Sequence, residues 1–163
     1  MAEQTASPLI GMYRRLEGLP LGKHAFSLFY QVAAPYFLSI PASVKDVAPG
    51  VVHAEMPAVP WTRNHLGTVH AIALCNLAEY AMGAVAEATV SSTHRWVPKG
   101  MTVEYRGMAR GRMHATATLT LPEPLDDKFE LPVQIEVVND DGHEVFHAEI
   151  RIWITERPSK QPS

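Results

Sequence analysis

The feature that most constrains the fold is a long apolar segment in the middle of the chain, residues 67–90. It is rich in alanine, the residue with the highest helix propensity, and residues 67–88 suffice for about six helical turns. Polar side chains interrupt the segment at His70, Asn76, Glu79 and Glu87. It therefore falls short of the ~20 apolar residues of a membrane span, and a helix that is apolar nearly all round has to be enclosed by other elements.

The segments on either side of this helix have the pattern of β-strands. Before it, residues 40–47 and 51–59 flank Pro49-Gly50, a tight-turn pair because proline presets φ and glycine accepts a positive φ. After it, apolar and polar residues alternate in four segments, at 94–105, 112–121, 131–139 and 144–155. Asn139-Asp140-Asp141-Gly142 predicts a hairpin, and the short connections predict that the four strands are antiparallel neighbours.

This order of elements predicts an α+β fold in which an antiparallel sheet wraps around one long central helix, the hotdog arrangement. Two shorter helices, at residues 8–17 and 21–37, precede the sheet. We therefore divide the chain into an N-terminal helical extension at 1–37, a hotdog domain at 38–156 and a flexible polar tail at 157–163.

Composition narrows the class of protein. The 163 residues suit one domain, and 47% hydrophobic with 19% charged residues is a globular balance. The formal net charge of −3 argues against a nucleic-acid binder. The single cysteine, Cys75, cannot form an intrachain disulfide and is expected to be a small buried hydrophobe. The N-terminus has no signal-peptide pattern, so we expect a soluble, cytoplasmic protein with no membrane contact.

One stretch carries residues suited to chemistry on a carbonyl group, Arg63-Asn64-His65-Leu66-Gly67-Thr68-Val69-His70-Ala71 with Glu79 downstream. The predicted helix starts near Gly67 or Thr68, where free backbone N–H groups attract negative charge, including a developing oxyanion. Asn64 can hydrogen-bond beside that end, and His70 lies in the first turn. Glu79 is a carboxylate within an apolar helix, which costs free energy unless it is paired or functional.

The spacing of His70 and Glu79 predicts that a second subunit is needed if the two act together. Nine residues of helix amount to roughly 13–14 Å of rise and about half a turn of rotation, so the two side chains point to opposite faces. Two antiparallel copies of the helix in a symmetric homodimer would bring His70 of one chain towards Glu79 of the other, giving two equal sites. Pairing of dimers into a tetramer is left open.

These residues resemble the motif of the hotdog thioesterases of the phenylacetate-pathway type, in which an Asn precedes a His by six residues and an Asp or Glu follows the His by nine. Asn64, His70 and Glu79 keep both spacings. The fuller string, with Ala78-Glu79-Tyr80 and Arg95-Trp96-Val97-Pro98-Lys99, is similar to an uncharacterised hotdog-domain family related to those enzymes. The resemblance covers about residues 38–156.

The histidines show no helical His-x-x-x-His or His-Glu-x-x-His spacing, so no metal site is predicted. The resemblance implies hydrolysis of an acyl-CoA, with no cofactor other than the coenzyme A of the substrate. Glu79 would be the general base or nucleophile, and the amide of Ala71 would contribute to the oxyanion hole. Asn64 would hold the carbonyl or the attacking water, and His70 would orient the helix start. The sequence departs from the motif where Ala71-Ile72 replace two glycines and where Val97-Pro98 stand in place of a hydroxyl residue, with Thr93 nearest upstream.

Further substrate contacts are expected at Gly67, Thr68 and Ile72, and at Lys99 and Arg106 if their charges meet the phosphates of CoA. A solvated sheet edge explains those two cations equally well. Apolar residues suited to an acyl channel are Ile72, Tyr80, Met82 and Trp96. Two alternatives to a thioesterase remain, a non-catalytic acyl- or CoA-binding module and a hotdog dehydratase or hydratase, whose usual Asp/His pattern is not found here.

Overall fold

A six-stranded antiparallel sheet packs against one long helix in the computed structural model of the chain, which describes residues 7–122 and 128–157. The strands, in chain order, are β1 (Ser43–Ala48), β2 (Val51–Met56), β3 (His94–Tyr105), β4 (Met113–Thr118), β5 (Phe129–Asn139) and β6 (Glu144–Glu156). Their order across the sheet is β1-β2-β4-β5-β6-β3, so that β1 and β3 form the two edges. This is the predicted hotdog fold.

The central helix, α3 (Ala71–Thr89), confirms the prediction of a buried apolar helix, but it begins four residues later than predicted. Gly67 has a φ of +75°, which a helix does not tolerate and which glycine adopts without steric cost. Residues 64–70 instead form a loop tied to other segments, with the Val69 N–H donating to the Ala109 carbonyl and the His70 N–H donating to the Thr62 carbonyl. Tertiary hydrogen bonds therefore override the helical pattern of this stretch.

The prediction that all four later strands are sequential neighbours is wrong for one of them. Strands β4, β5 and β6 form the expected meander, but β3 pairs with β6 and not with β4, while β4 pairs with β2. Helix α3 packs across the sheet and contacts residues of all six strands. The chain therefore comes out of α3 at the edge of the sheet opposite β1, and β3 pairs there with β6. Periodicity within a strand carries no information about this crossover.

The ends of the elements differ modestly from the predictions. The strand at 94–105 has the predicted bounds, whereas β1, β2 and β4 are shorter than predicted and β5 starts two residues earlier. Both turns are confirmed, with Gly50 at φ +85° and Gly142 at φ +77°. The helix predicted at 21–37 ends earlier, because α2 (Gly22–Ala33) gives way to a 3₁₀ turn at Pro35–Ser39.

The two N-terminal helices, α1 (Pro8–Leu16) and α2, pack on each other and against β1 and α3. An aromatic cluster joins them to the central helix, with the ring of Tyr80 lying edge-on to Tyr30 at 5.0 Å and to Phe37 at 5.2 Å. The Tyr30 hydroxyl donates to the Tyr80 carbonyl. Of the predicted polar tail, residues 158–163 lie outside the described residues. Across residues 7–122 and 128–157, every helix is too short or too polar to cross a bilayer.

Candidate functional site

The start of α3 presents a backbone N–H group that has no internal partner. His70 is the N-cap residue and not a first-turn residue as predicted, and its Nδ1 accepts a hydrogen bond from the Ile72 N–H at 3.1 Å. The Leu74 N–H donates to the His70 carbonyl, which begins the regular helical pattern. Among the described residues, the N–H of Ala71 donates to no acceptor. An orphan amide at a helix N-terminus is suited to binding a developing negative charge.

Asn64 is occupied by the loop that leads to this helix. Its Oδ1 accepts hydrogen bonds from the N–H groups of Leu66 and Thr68, at 2.9 and 3.2 Å. Its Nδ2 donates to the Thr68 hydroxyl at 2.9 Å, and its own N–H donates to the Thr68 carbonyl. The structure therefore gives Asn64 a role in shaping the loop, and contact of Asn64 with a substrate carbonyl stays a prediction.

Glu79 lines a groove with a volume of about 670 Å³. The groove lies between α3 and β3 on one side and the N-terminal helices with the 3₁₀ turn on the other. Its lining is mainly apolar and includes Met82 and Trp96, two of the residues predicted to form an acyl channel. Glu79 is half-buried and makes no hydrogen bond or ion pair with any described residue. An unpaired carboxylate beside an apolar groove is a candidate for acid–base chemistry.

Within one chain the candidate oxyanion donor and the candidate base are far apart. The eight residues from Ala71 to Glu79 advance about 12 Å along α3. One carbonyl group cannot reach both from a single position. This geometry agrees with the predicted separation of His70 and Glu79.

The remaining predicted contact residues have mixed surroundings. Gly67 is exposed, Thr68 is buried with its hydroxyl held by Asn64, and Ile72 is 60% exposed at the start of α3. Lys99 lies over the ring of Trp153, at 5.9 Å from its centroid. Arg106 forms ion pairs with Glu104 and Glu144, which neutralise its charge and make it a weaker ligand for phosphates.

Tyr80, the last residue predicted to line a channel, is buried in the aromatic cluster and does not line the groove. The hydroxyl of Thr93 contacts Ser91 and the Nδ1 of His94 at the start of β3. Val97-Pro98 precedes a bulge in the pairing of β3 with β6. Neither segment supplies a hydroxyl beside Glu79 in this chain.

Two side-chain contacts near the site were not predicted from the sequence. The Nδ2 of Asn76, one helical turn before Glu79, donates to the Ser39 hydroxyl at 2.9 Å, while its buried Oδ1 has no partner among the described residues. The Nε1 of Trp96 donates to Glu87 at 3.2 Å. The polar interruptions of an apolar helix signalled Asn76 and Glu87, but their partners come from distant segments.

Cys75 is half-buried and not fully buried as predicted. Its Sγ lies 3.4 Å from the hydroxyl of Tyr105 on β3. This hydrogen bond, with burial, raises the pKa of Tyr105 to about 12. Tyr105 is therefore a neutral hydroxyl at ordinary pH, and the contact ties α3 to the edge strand.

Comparison with known proteins places the chain in a family. Residues 22–154 match the model of a family described as Domain of unknown function (DUF4442). The chain belongs to this family. The match includes α2, α3 and all six strands except the last two residues of β6, and so it covers the groove except for α1. A search of curated proteins finds no match.

Solved structures show the same fold. The crystal structure of the structural-genomics target APC5556 is 34% identical, covers 91% of this chain and 99% of its own, and superposes with a TM-score of 0.77. A probable thioesterase from Pseudomonas aeruginosa, PA5026, is 21% identical over 85% and 97% of the two chains, with a TM-score of 0.72. A thioesterase family protein from Silicibacter pomeroyi is 16% identical over 80% and 96%, with a TM-score of 0.68. The chain thus has the same hotdog fold as these proteins.

Proposed function

We propose that the protein hydrolyses the thioester bond of an acyl-CoA, with Glu79 as the base and the Ala71 N–H of a second subunit as an oxyanion donor. The observation that carries the proposal is Glu79 itself, a half-buried carboxylate without a partner among the described residues, facing an apolar groove. The thioesterases among the proteins of the same fold support the choice of a thioester as substrate.

The chemistry follows from the two groups. Glu79 takes a proton from a water molecule, whose oxygen bonds to the thioester carbonyl carbon. The negative charge that develops on the carbonyl oxygen is stabilised by the N–H of Ala71 at the N-terminus of α3. The carbon–sulfur bond then breaks, and the proton held by Glu79 passes to the CoA sulfur. The products are a free carboxylic acid and CoA.

The exposed apolar residues of β3 support the presence of a second copy of the chain in the site. Among the residues that the structure describes, this edge strand pairs with β6 on one side only, and its other edge is 12 residues long. Met101 and Tyr105 lie opposite the buried residues Ile150 and Phe146 of β6, yet they are 36% and 52% exposed. Nearby, Ile72 is 60% exposed. Long exposed apolar edges are uncommon in monomers, so we assign this face to a symmetric dimer contact.

In such a dimer, two antiparallel α3 helices bring the start of one towards the middle of the other. Ala71 and Glu79 are eight residues apart on one chain. A partner helix that runs in the opposite direction can place its own Ala71 beside Glu79 of the first chain. The CoA moiety would then lie at the dimer contact, where Lys99 is exposed. Each dimer would hold two equal sites.

Replacement of Glu79 by Gln tests this function. The amide keeps the size of the side chain and cannot accept the proton, so kcat/KM for acyl-CoA hydrolysis should fall by about 10³-fold or more with unchanged folding. The matched control is Glu136→Gln on the exposed face of β5, which should keep full activity. Equal thiol release by the Glu79→Gln variant would remove Glu79 from the mechanism.

The departure at Val97-Pro98 favours one alternative, a non-catalytic acyl-binding module. No hydroxyl from this segment is available to position the attacking water, as both residues lack one. A panel of acyl-CoAs assayed for both binding and thiol release separates the two functions. Binding without release on every member would support the module.

A further inference from the structure

The groove beside Glu79 is lined by two parts of the chain that are far apart in the sequence, the N-terminal helices and the α3–β3 region. Helix α3 contributes Glu79, Met82, Gly83 and Glu87, whose spacing places them on one face of the helix. Trp96 and Pro98 of β3 flank that face. The opposite wall comes from the N-terminal helices and includes Leu9 and Met12 of α1.

The charge of the groove excludes the nucleotide half of CoA. The charged groups that line it are the two carboxylates of Glu79 and Glu87, and no lysine or arginine lines it within the described residues. Phosphates would be repelled by these carboxylates and would find no cation there. An apolar acyl chain gains free energy from the same surface in proportion to the area that it buries.

The length of the groove follows from α3. Glu79 and Glu87 are eight residues apart, which is about 12 Å along the helix. An extended chain advances about 1.2 Å per bond, since three backbone bonds of a polypeptide span about 3.6 Å. The groove therefore matches about ten bonds, counted from Glu79 to the hydrogen bond between Glu87 and Trp96.

We infer that this groove is the acyl site and that it selects straight, uncharged acyl chains of up to about ten carbons. Its volume of about 670 Å³ lies within the range of small-molecule sites. Helix α1 lines the groove opposite α3, so its side chains control how much of a long acyl chain fits along that length. The inference rests on the proposed function in taking Glu79 as the group that meets the thioester.

Gly83 keeps the groove open at its floor. A Cβ at this position would lie 2.5 Å from the Tyr30 hydroxyl and 3.6 Å from the ring of Trp96. The Tyr30 hydroxyl is held in place by the Tyr80 carbonyl, so it cannot simply turn away. The width of the groove is therefore fixed next to Met82, halfway between the carboxylates of Glu79 and Glu87.

The test is the chain-length dependence of kcat/KM for butyryl-, octanoyl-, decanoyl- and palmitoyl-CoA. Each methylene buried should raise kcat/KM by about fourfold, up to about ten carbons, with no gain beyond. Met12→Trp narrows the groove from the α1 side. It should lower kcat/KM for decanoyl-CoA by about sixteenfold, the equivalent of roughly two buried methylenes, and leave butyryl-CoA unchanged.

Val32→Trp is the matched control, because Val32 is 58% exposed on α2 and does not line the groove. The Val32→Trp variant should show the same dependence of kcat/KM on chain length as the parent protein. Met12→Ala is the second variant if the tryptophan disturbs folding, as judged by circular dichroism, and it should shift the optimum towards longer chains. A profile that is flat with chain length, or that is unaltered by both Met12 variants, would overturn the inference.

Binding separates this inference from the proposed function. The decyl thioether of CoA, which cannot be hydrolysed, should bind the Glu79→Gln variant more tightly than the butyl thioether in calorimetry. If no thioester is cleaved but this preference holds, the acyl site stands and the hydrolase function fails. If thioesters are cleaved with no preference in binding, the hydrolase stands and the acyl site fails.

Discussion

The Nδ1 of His70 accepts a hydrogen bond from the Ile72 N–H, and the N–H of the residue between them, Ala71, is left without an acceptor among the described residues. One side chain thus caps the second amide of α3 and leaves the first one exposed to a ligand. The cap also fixes the direction of that first amide, because it holds the first turn of the helix. Helix capping and the proposed oxyanion contact thus fall to two neighbouring amides.

This arrangement predicts a selective effect of Ala71→Pro. Proline is tolerated at the first position of a helix and removes only the N–H group, and the extended conformation of His70 suits a residue before proline. We expect kcat to fall by about 10²–10³-fold with the melting temperature nearly unchanged. Ala71→Ser keeps the amide and serves as the control. Full activity of the proline variant would exclude this amide from the oxyanion hole.

A shared site predicts complementation between two inactive variants. Glu79→Gln and Ala71→Pro homodimers should each lack activity. After co-refolding, about half of the dimers are mixed and hold one intact site of two, so about a quarter of the parent activity should return. Light scattering on the same sample reports the dimer. No return of activity in a confirmed mixed dimer would overturn the shared site.

The close approach of Gly83 to Tyr30 predicts a pair of coupled substitutions. Gly83→Ala brings a methyl group against the Tyr30 hydroxyl and should lower the free energy of unfolding by about 1–3 kcal/mol, because the site is already packed. Tyr30→Phe removes the obstructing oxygen, so the double variant should recover part of that loss in urea unfolding. Gly11→Ala, at a helical position where nothing lies within 4 Å, should be neutral or stabilising. Additive losses at Gly83 and Tyr30 would contradict the contact.

An ion-pair network on the outer face of the sheet predicts a dependence of stability on pH. Glu55 lies 3.0 Å from Lys45, 3.1 Å from Arg112 and 3.3 Å from His114. Burial raises the pKa of Glu55, but the hydrogen bond and charge of Lys45, together with His114 and Arg112, hold it below its ordinary value of 4.5. The carboxylate therefore stabilises the fold above pH 4.5, and that contribution is lost as the pH falls through the lowered pKa.

Replacement of Glu55 by Gln removes this contribution. At about pH 7 the free energy of unfolding should fall by about 1 kcal/mol, and at about pH 3 the variant and the parent should be equally stable. Urea unfolding at both pH values measures the difference. A stability gap that persists at low pH would show that packing, and not charge, accounts for the effect. Glu136→Gln is the control for loss of an exposed carboxylate.

The sequence predicted the fold well because its strongest signals are local. The apolar run of α3, the alternation in β3 and β6 and the turn residues Gly50 and Gly142 each depend on nearby residues alone. The start of α3 could not be found in this way. The loop before it is set by hydrogen bonds to Thr62 and Ala109, which lie elsewhere in the chain.

The same distinction holds for the candidate site. A carboxylate within an apolar helix marked Glu79, and its surroundings agree with that interpretation. The position of α1 over the groove was not predictable, because Leu9 and Met12 have no periodicity that refers to α3. Asn64 matched a motif by spacing, yet its hydrogen bonds are all within its own loop. Spacing fixes which residues can meet, and tertiary packing decides what they touch.

The groove has one wall from α1 and its candidate catalytic carboxylate from α3, more than sixty residues later. Under the proposed function, substitutions in α1 therefore alter which acyl groups fit without disturbing the proposed catalytic residues. A lineage of such proteins can diversify its substrates through a short N-terminal stretch while the chemistry stays under separate constraint. Exchange of that stretch between related chains is accordingly a direct route to engineering selectivity.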